Sequence, residues 1–85
     1  MNISKNEQRV LHVLAQGGLI RHLRDDNGRI TEIHCVTRDG YILTSCTMDI
    51  FTRLRAKKLI ESRGGSPYRI ALKGRQAVRS QADNR

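Results

Sequence analysis

The hydrophobic period of this chain changes at Gly17-Gly18, and that change restricts what the chain can fold into. Before it, Val10, Leu11 and Leu14 recur at the spacing that puts them on one side of a helix. Ser4 followed three residues later by Glu7 is a capping box, so the sequence predicts a helix over 5–16 that halts at the glycines. After them the period shortens to two. Leu19–Arg24 and Arg29–Thr37 flank Asp26-Asn27-Gly28, and Asn-Gly supplies the positive φ angles of a hairpin turn. Asp39-Gly40 turns the chain again, so that Tyr41-Ile42-Leu43 can return along the second strand as a small antiparallel meander.

Helical spacing resumes at Ile50, Phe51 and Leu54, with Thr47 as N-cap and Asp49 in the first turn, predicting a second helix over 48–58. Arg53, Arg55, Lys57 and Lys58 fall largely off its apolar stripe. Next, Leu59–Arg63 and Tyr68–Leu72 flank Gly64-Gly65-Ser66-Pro67 as a second hairpin. Tyr68, Ile70 and Leu72 alternate onto one of its faces, with Arg63 and Arg69 directed outward. Lys73–Val78, which includes Arg75, is polar with few apolar anchors and reads as a short closing helix that frays into Ser80–Arg85. The expected architecture is α+β and winged-helix-like. It has an N-terminal helix, a small antiparallel meander, a basic helix, a C-terminal β-hairpin wing and a short closing helix. Strands at residues 19–43 stand where an ordinary winged helix carries another helix, which argues against the standard major-groove docking of that fold.

A chain of 85 residues hides roughly two-thirds of its unfolded surface and has no material for a second core, so residues 1–85 are expected to form one domain. The stability margin of such a domain is about 5–15 kcal/mol, and a homodimer that buries further apolar surface is compatible with it. The net charge of +8 is unevenly spread. Residues 1–42 hold six Lys and Arg against five Asp and Glu, whereas residues 43–85 hold ten against three. A clustered positive field attracts polyanions or acidic protein surfaces. The expected contact surface is Arg53, Arg55, Lys57, Lys58, Arg63, Arg69, Lys73 and Arg75, meeting either duplex DNA or an acidic partner.

Several classes of chemistry lack their residues. No run approaches the ~20 apolar residues of a membrane span, and Met1–Lys5 lacks the apolar stretch of an export signal, so a cytoplasmic protein with no membrane partner is expected. Cys35 and Cys46 then read as two reduced thiols. His22, His34, Cys35 and Cys46 have no metal-site spacing, since neighbours on a strand point to opposite faces and no C-x-x-C pair exists. No metal or other cofactor is expected. Ser45-Cys46-Thr47 precedes a helix, where a cap and a packed thiol account for it better than a nucleophile does. The glycine pairs lack a phosphate-loop pattern. These absences favour a binding protein over an enzyme and leave no catalytic residue to name. Two alternatives remain on the residues alone. One is a winged-helix DNA-binding regulator. The other is a metal-free ribonuclease drawing on His12, His22, His34, Tyr41 and Tyr68, although three aromatics offer few base-stacking platforms.

Set in order, Asn2-Ile3-Ser4 with Glu7-Gln8, Leu11–Ala15 before Gly17, Arg24-Asp25, and Cys46-Thr47 leading to Phe51 and Leu54 resemble the YjhX family of small bacterial toxins. So do Lys57–Ile60, Pro67–Ile70 and the ending Asp83-Asn84-Arg85, so that the likeness runs end to end. The resemblance implies the toxin half of a toxin–antitoxin pair. It further implies an inhibitor of bacterial DNA topoisomerase I that blocks replication and growth, with a cognate antitoxin as second partner; together with the absences above, a non-catalytic inhibitor is expected.

Overall fold

The computed structural model describes residues 2–80. Its elements run α1 (Lys5–Ala15), β1 (Leu19–Arg24), β2 (Ile30–Val36), β3 (Ile42–Leu43), α2 (Met48–Ala56), β4 (Ile60–Glu61), β5 (Arg69–Ile70) and α3 (Leu72–Ser80). This is the α+β arrangement of three helices and antiparallel strands that the period changes predict. A helix, a two-stranded hairpin and a closing helix follow one another at the C-terminal end, and residues 19–43 hold strands.

Local chemistry accounts for the boundaries. The Ser4 hydroxyl accepts a hydrogen bond from the Glu7 amide at 3.1 Å, and the Glu7 carboxylate accepts one from the Ser4 amide at 3.4 Å. Thr47 caps α2 by accepting from the Ile50 amide at 3.3 Å. The first hairpin turns around Asp25, whose Oδ1 accepts from the amides of Asn27 and Arg29, both at 2.9 Å, while Gly28 takes a φ of 81°. Asx side chains satisfy turn amides in this way.

The strands β1, β2 and β3 form one antiparallel sheet, with Ile20 opposite Cys35 and Val36 opposite Ile42. The second sheet pairs Ile60 with Ile70. Ile20 and Tyr68 join the two, each amide donating to the other's carbonyl at 2.8 Å. One hydrophobic cluster fills the interior. It takes Val10, Leu11 and Leu14 from α1, Ile20 and Cys35 from the first sheet, Ile50, Phe51 and Leu54 from α2, and Tyr68 and Ile70 from the hairpin. Phe51 meets Tyr68 edge to face with ring centroids 5.0 Å apart.

Two boundaries differ from the sequence reading. Leu72 does not continue the buried alternation of Tyr68 and Ile70, being 71 % exposed. The Ala71 amide donates to the Leu59 carbonyl at 2.9 Å, and α3 starts at the next residue, so the period of two ends and Leu72 turns to solvent. α2 ends at Ala56, where Lys58 takes a φ of 61° and reverses the chain. The expected fraying over Ser80–Arg85 lies outside the described residues, except that Ser80 closes α3.

Candidate polyanion-binding surface

Seven of the eight expected contact residues are solvent-exposed: Arg53, Arg55, Lys58, Arg63, Arg69, Lys73 and Arg75. The eighth is engaged internally. Lys57 donates to Glu7 Oε2 at 2.7 Å and to the Asn2 carbonyl at 2.6 Å, tying α2 to the N-terminal segment. Among the described residues Glu7 is the buried charged one, with 2 % exposure. Burial pushes its carboxyl up, but the hydrogen bonds from Lys57 and Ser4 outweigh that and hold it below its ordinary value. Lys57 is therefore a correction to the expected surface. Periodicity put it off the apolar stripe, and its partner, fifty residues away in sequence, was invisible locally.

Four of the others, Arg55, Arg63, Arg69 and Arg75, line two separate clefts. Arg63, Arg69 and Arg75 line a cleft of about 240 Å³ between the β4–β5 hairpin and α3, with Glu61, Ser66 and Pro67. Glu61 lies opposite Arg69 across the hairpin, and its Oε2 is 3.3 Å from an Arg63 nitrogen. Both partners are exposed, so the pair is a weak, salt-screened one that leaves the cleft positive. Arg53 pairs at 3.1 Å with Asp49, one helical turn back and also exposed. Arg55 faces the other way, joining Arg24 and Arg29 around a cleft of about 450 Å³ between the first hairpin and α2. Sequence reasoning missed Arg24 and Arg29 because charge was counted along the chain, where Asp25 and Asp26 offset them. The basic residues named from sequence thus line more than one cleft, and Arg24 and Arg29 of the near-neutral half share one of them.

The groups that chemistry would need are dispersed or buried. Cys35 and Cys46 are buried free thiols, and a mutual hydrogen bond together with burial pushes Cys46 well above the usual thiol range. His12 is exposed on α1 and His34 is exposed on β2, whereas His22 meets Tyr68 at a ring-centroid distance of 5.1 Å. Among the described residues no three His, Cys, Asp or Glu side chains gather as a metal set would, and no helix is long and apolar enough to cross a membrane.

The fold and these clefts define a small α+β protein whose distinguishing surface chemistry is arginine-rich. The chain belongs to the YjhX toxin family, whose model, described as "Putative toxin of bacterial toxin-antitoxin pair", matches residues 1–85. Similar proteins include the "UPF0386 protein" of Brucella anthropi, 67 % identical, and that of Beijerinckia indica, 64 % identical. A third, from Aliivibrio fischeri, is 55 % identical, and in all three cases the alignment covers the whole of both chains. No solved structure matches the chain. Family membership implies a cognate antitoxin as partner.

Proposed function

We propose that this toxin acts in the cytoplasm as a non-catalytic inhibitor of bacterial DNA topoisomerase I, binding through the cleft between the β4–β5 hairpin and α3. The carrying observation is the convergence of Arg63, Arg69 and Arg75 on one cleft, across a hairpin and a helix that both pack on the core. Guanidinium groups present planar donor pairs that match carboxylates and phosphates, so such a cleft suits an acidic face of the enzyme or the duplex it holds. Occupying either hinders strand passage without bond making. A binding mode also fits the burial of both thiols and of Tyr68, the tyrosine that His22 meets, while His12 and His34 lie on other elements. The cognate antitoxin then neutralises the toxin by covering this cleft.

The test is supercoil relaxation by purified topoisomerase I with this protein titrated in. Inhibition is expected at near-stoichiometric protein and is expected to weaken for Arg63→Ser/Arg69→Ser/Arg75→Ser, which should still melt cooperatively. Full relaxation at excess wild-type protein would remove the proposal. Specific cleavage of RNA by the purified protein would replace it with the ribonuclease reading.

A further inference from the structure

We propose that the cleft between the first hairpin and α2 is a separate site for the phosphate backbone of duplex nucleic acid, contacted by Arg24, Arg29 and Arg55. The site stands apart from the hairpin–α3 cleft and does not depend on topoisomerase being the target.

The arginines come from distant stretches of sequence. Arg24 ends β1, Arg29 lies in the turn and Arg55 is in the last turn of α2, yet all three line one cleft of about 450 Å³. Their fields overlap, since His22, on β1 two residues before Arg24, is held below its ordinary value by burial first and then by the charges of Arg24 and Arg55. Among the described residues none of the three pairs with a carboxylate, in contrast to Arg53, Lys57 and Arg63. The nearest acid in sequence, Asp25, directs Oδ1 to the turn amides of Asn27 and Arg29. Two of the guanidinium groups are already placed. Arg24 donates to the Gly28 carbonyl at 2.7 Å, and Arg55 lies over the Tyr68 ring at 5.9 Å. Ordering them on a ligand therefore costs less than ordering free side chains.

The lining of the cleft selects the ligand class. A protein partner draws most of its affinity from aromatic or aliphatic anchors seated in pockets. Here Phe51 lines the cleft but is 1 % exposed, so no aromatic is available, and the remaining apolar lining is Ile30 and the 36 % exposed Met48 beside three arginines. Nucleic acid draws affinity from phosphate neutralisation and counterion release, which needs cations alone. Unpaired bases would need an aromatic platform. Phe51 and Tyr68 are buried, and Tyr41 lies beyond the far end of β2 from the turn, about 20 Å away at strand rise. Duplex backbone is the class that remains.

The experiment measures anisotropy of a labelled duplex, with the full chain and no topoisomerase, across roughly 50 to 200 mM salt. Wild-type protein should bind unrelated sequences alike, with log affinity falling linearly in log salt. Each arginine removed should flatten that slope by about 0.9, so Arg29→Ser/Arg55→Ser should flatten it by nearly 2 and weaken binding tenfold or more at low salt. Among the described residues the Arg29 side chain makes no hydrogen bond or ion pair, so Arg29→Ser alone should account for half of the slope change even if the Arg55 substitution disturbs Tyr68. An unchanged slope in both variants would overturn the proposal. So would failure of wild-type protein to bind duplex at the lowest salt, or tighter binding of polyglutamate than of duplex.

Discussion

Lys57 Nζ lies 2.7 Å from Oε2 of Glu7, fifty residues earlier in the chain, at a carboxylate whose side chain is 2 % exposed. Removing the ammonium leaves a buried carboxylate without its charge partner, a change that costs about 3 kcal/mol where the group cannot reach water. Lys57→Met should therefore lower the urea midpoint by roughly that amount of stability, with an unchanged denaturant slope. Arg53→Ser breaks an exposed pair with Asp49 and should cost less than about 0.5 kcal/mol. Equal losses in the two variants would show that the Glu7 pair is no stronger than a surface one.

Acidification should destabilise the protein in two separable windows. The imidazole of His22 is held below its ordinary 6.5 by burial and by Arg24 and Arg55. Below pH 6.5 the unfolded chain takes up a proton that the folded one resists, so stability is full above that pH and is lost as pH falls through the folded value. Glu7, held below 4.5, acts in the same direction but only at pH below 4.5. His22 Nδ1 is also buried without a hydrogen-bond partner in the structure. His22→Phe keeps an aromatic ring edge-on to Tyr68 and removes that unsatisfied nitrogen. It should raise stability by about 1 kcal/mol and abolish the loss between pH 6.5 and 4.5, while leaving the lower window intact. Denaturation midpoints measured across pH for both proteins check this.

Much of the fold was legible because its signals are local. Ser4 and Glu7, Thr47, Gly17-Gly18 and Asn27-Gly28 each act within a few residues, and the alternation of Tyr68 and Ile70 needs only a strand period. What was not legible depends on distant partners. Nothing near Lys57 points to Glu7, and nothing near Tyr68 points to its bridge with Ile20. Leu72 was misplaced because the strand ends when Ala71 bonds to Leu59, a contact between separate elements. The same reason hid the second cleft. Arg24 and Arg29 meet Arg55 only once the first hairpin packs beside α2, and a running sum of charge cannot register that.

Gly74 separates propensity from packing. It occupies the third residue of α3, where alanine is the better helix former by about 1 kcal/mol, so local reasoning expects Gly74→Ala to stabilise. In the structure a Cβ at this position would press into the Leu59 carbonyl and come within 2.8 Å of Ile70 Cγ1. The backbone obstacle is the same carbonyl that receives the Ala71 amide, so α3 would have to lift from the hairpin. Gly74→Ala should destabilise by about 2 kcal/mol in a denaturant melt. A gain in stability would mean that α3 sits less tightly on the Leu59 carbonyl than described.

Lys58 stands where glycine would be the easier residue. Both α1 and α2 end in a Schellman reversal: Gly17 and Gly18 donate to Leu14 and Val13 at 3.1 Å, and Lys58 and Leu59 donate to Arg55 and Leu54 at 3.0 Å. In the first, the left-handed position is Gly17, with φ of 109°; in the second it is Lys58, with φ of 61° and the steric cost of a Cβ there, about 1 kcal/mol. Lys58→Gly should therefore stabilise the protein by close to that amount, raising the melting temperature by roughly 4–8 °C for a domain of this size. If the lysine is kept because its ammonium meets the target, the same variant should inhibit topoisomerase I less well, and Lys58→Asn, which tolerates the same φ without the charge, should share that loss. Higher melting with undiminished inhibition would place Lys58 outside the contact surface, and no rise in melting would show that the reversal relaxes elsewhere.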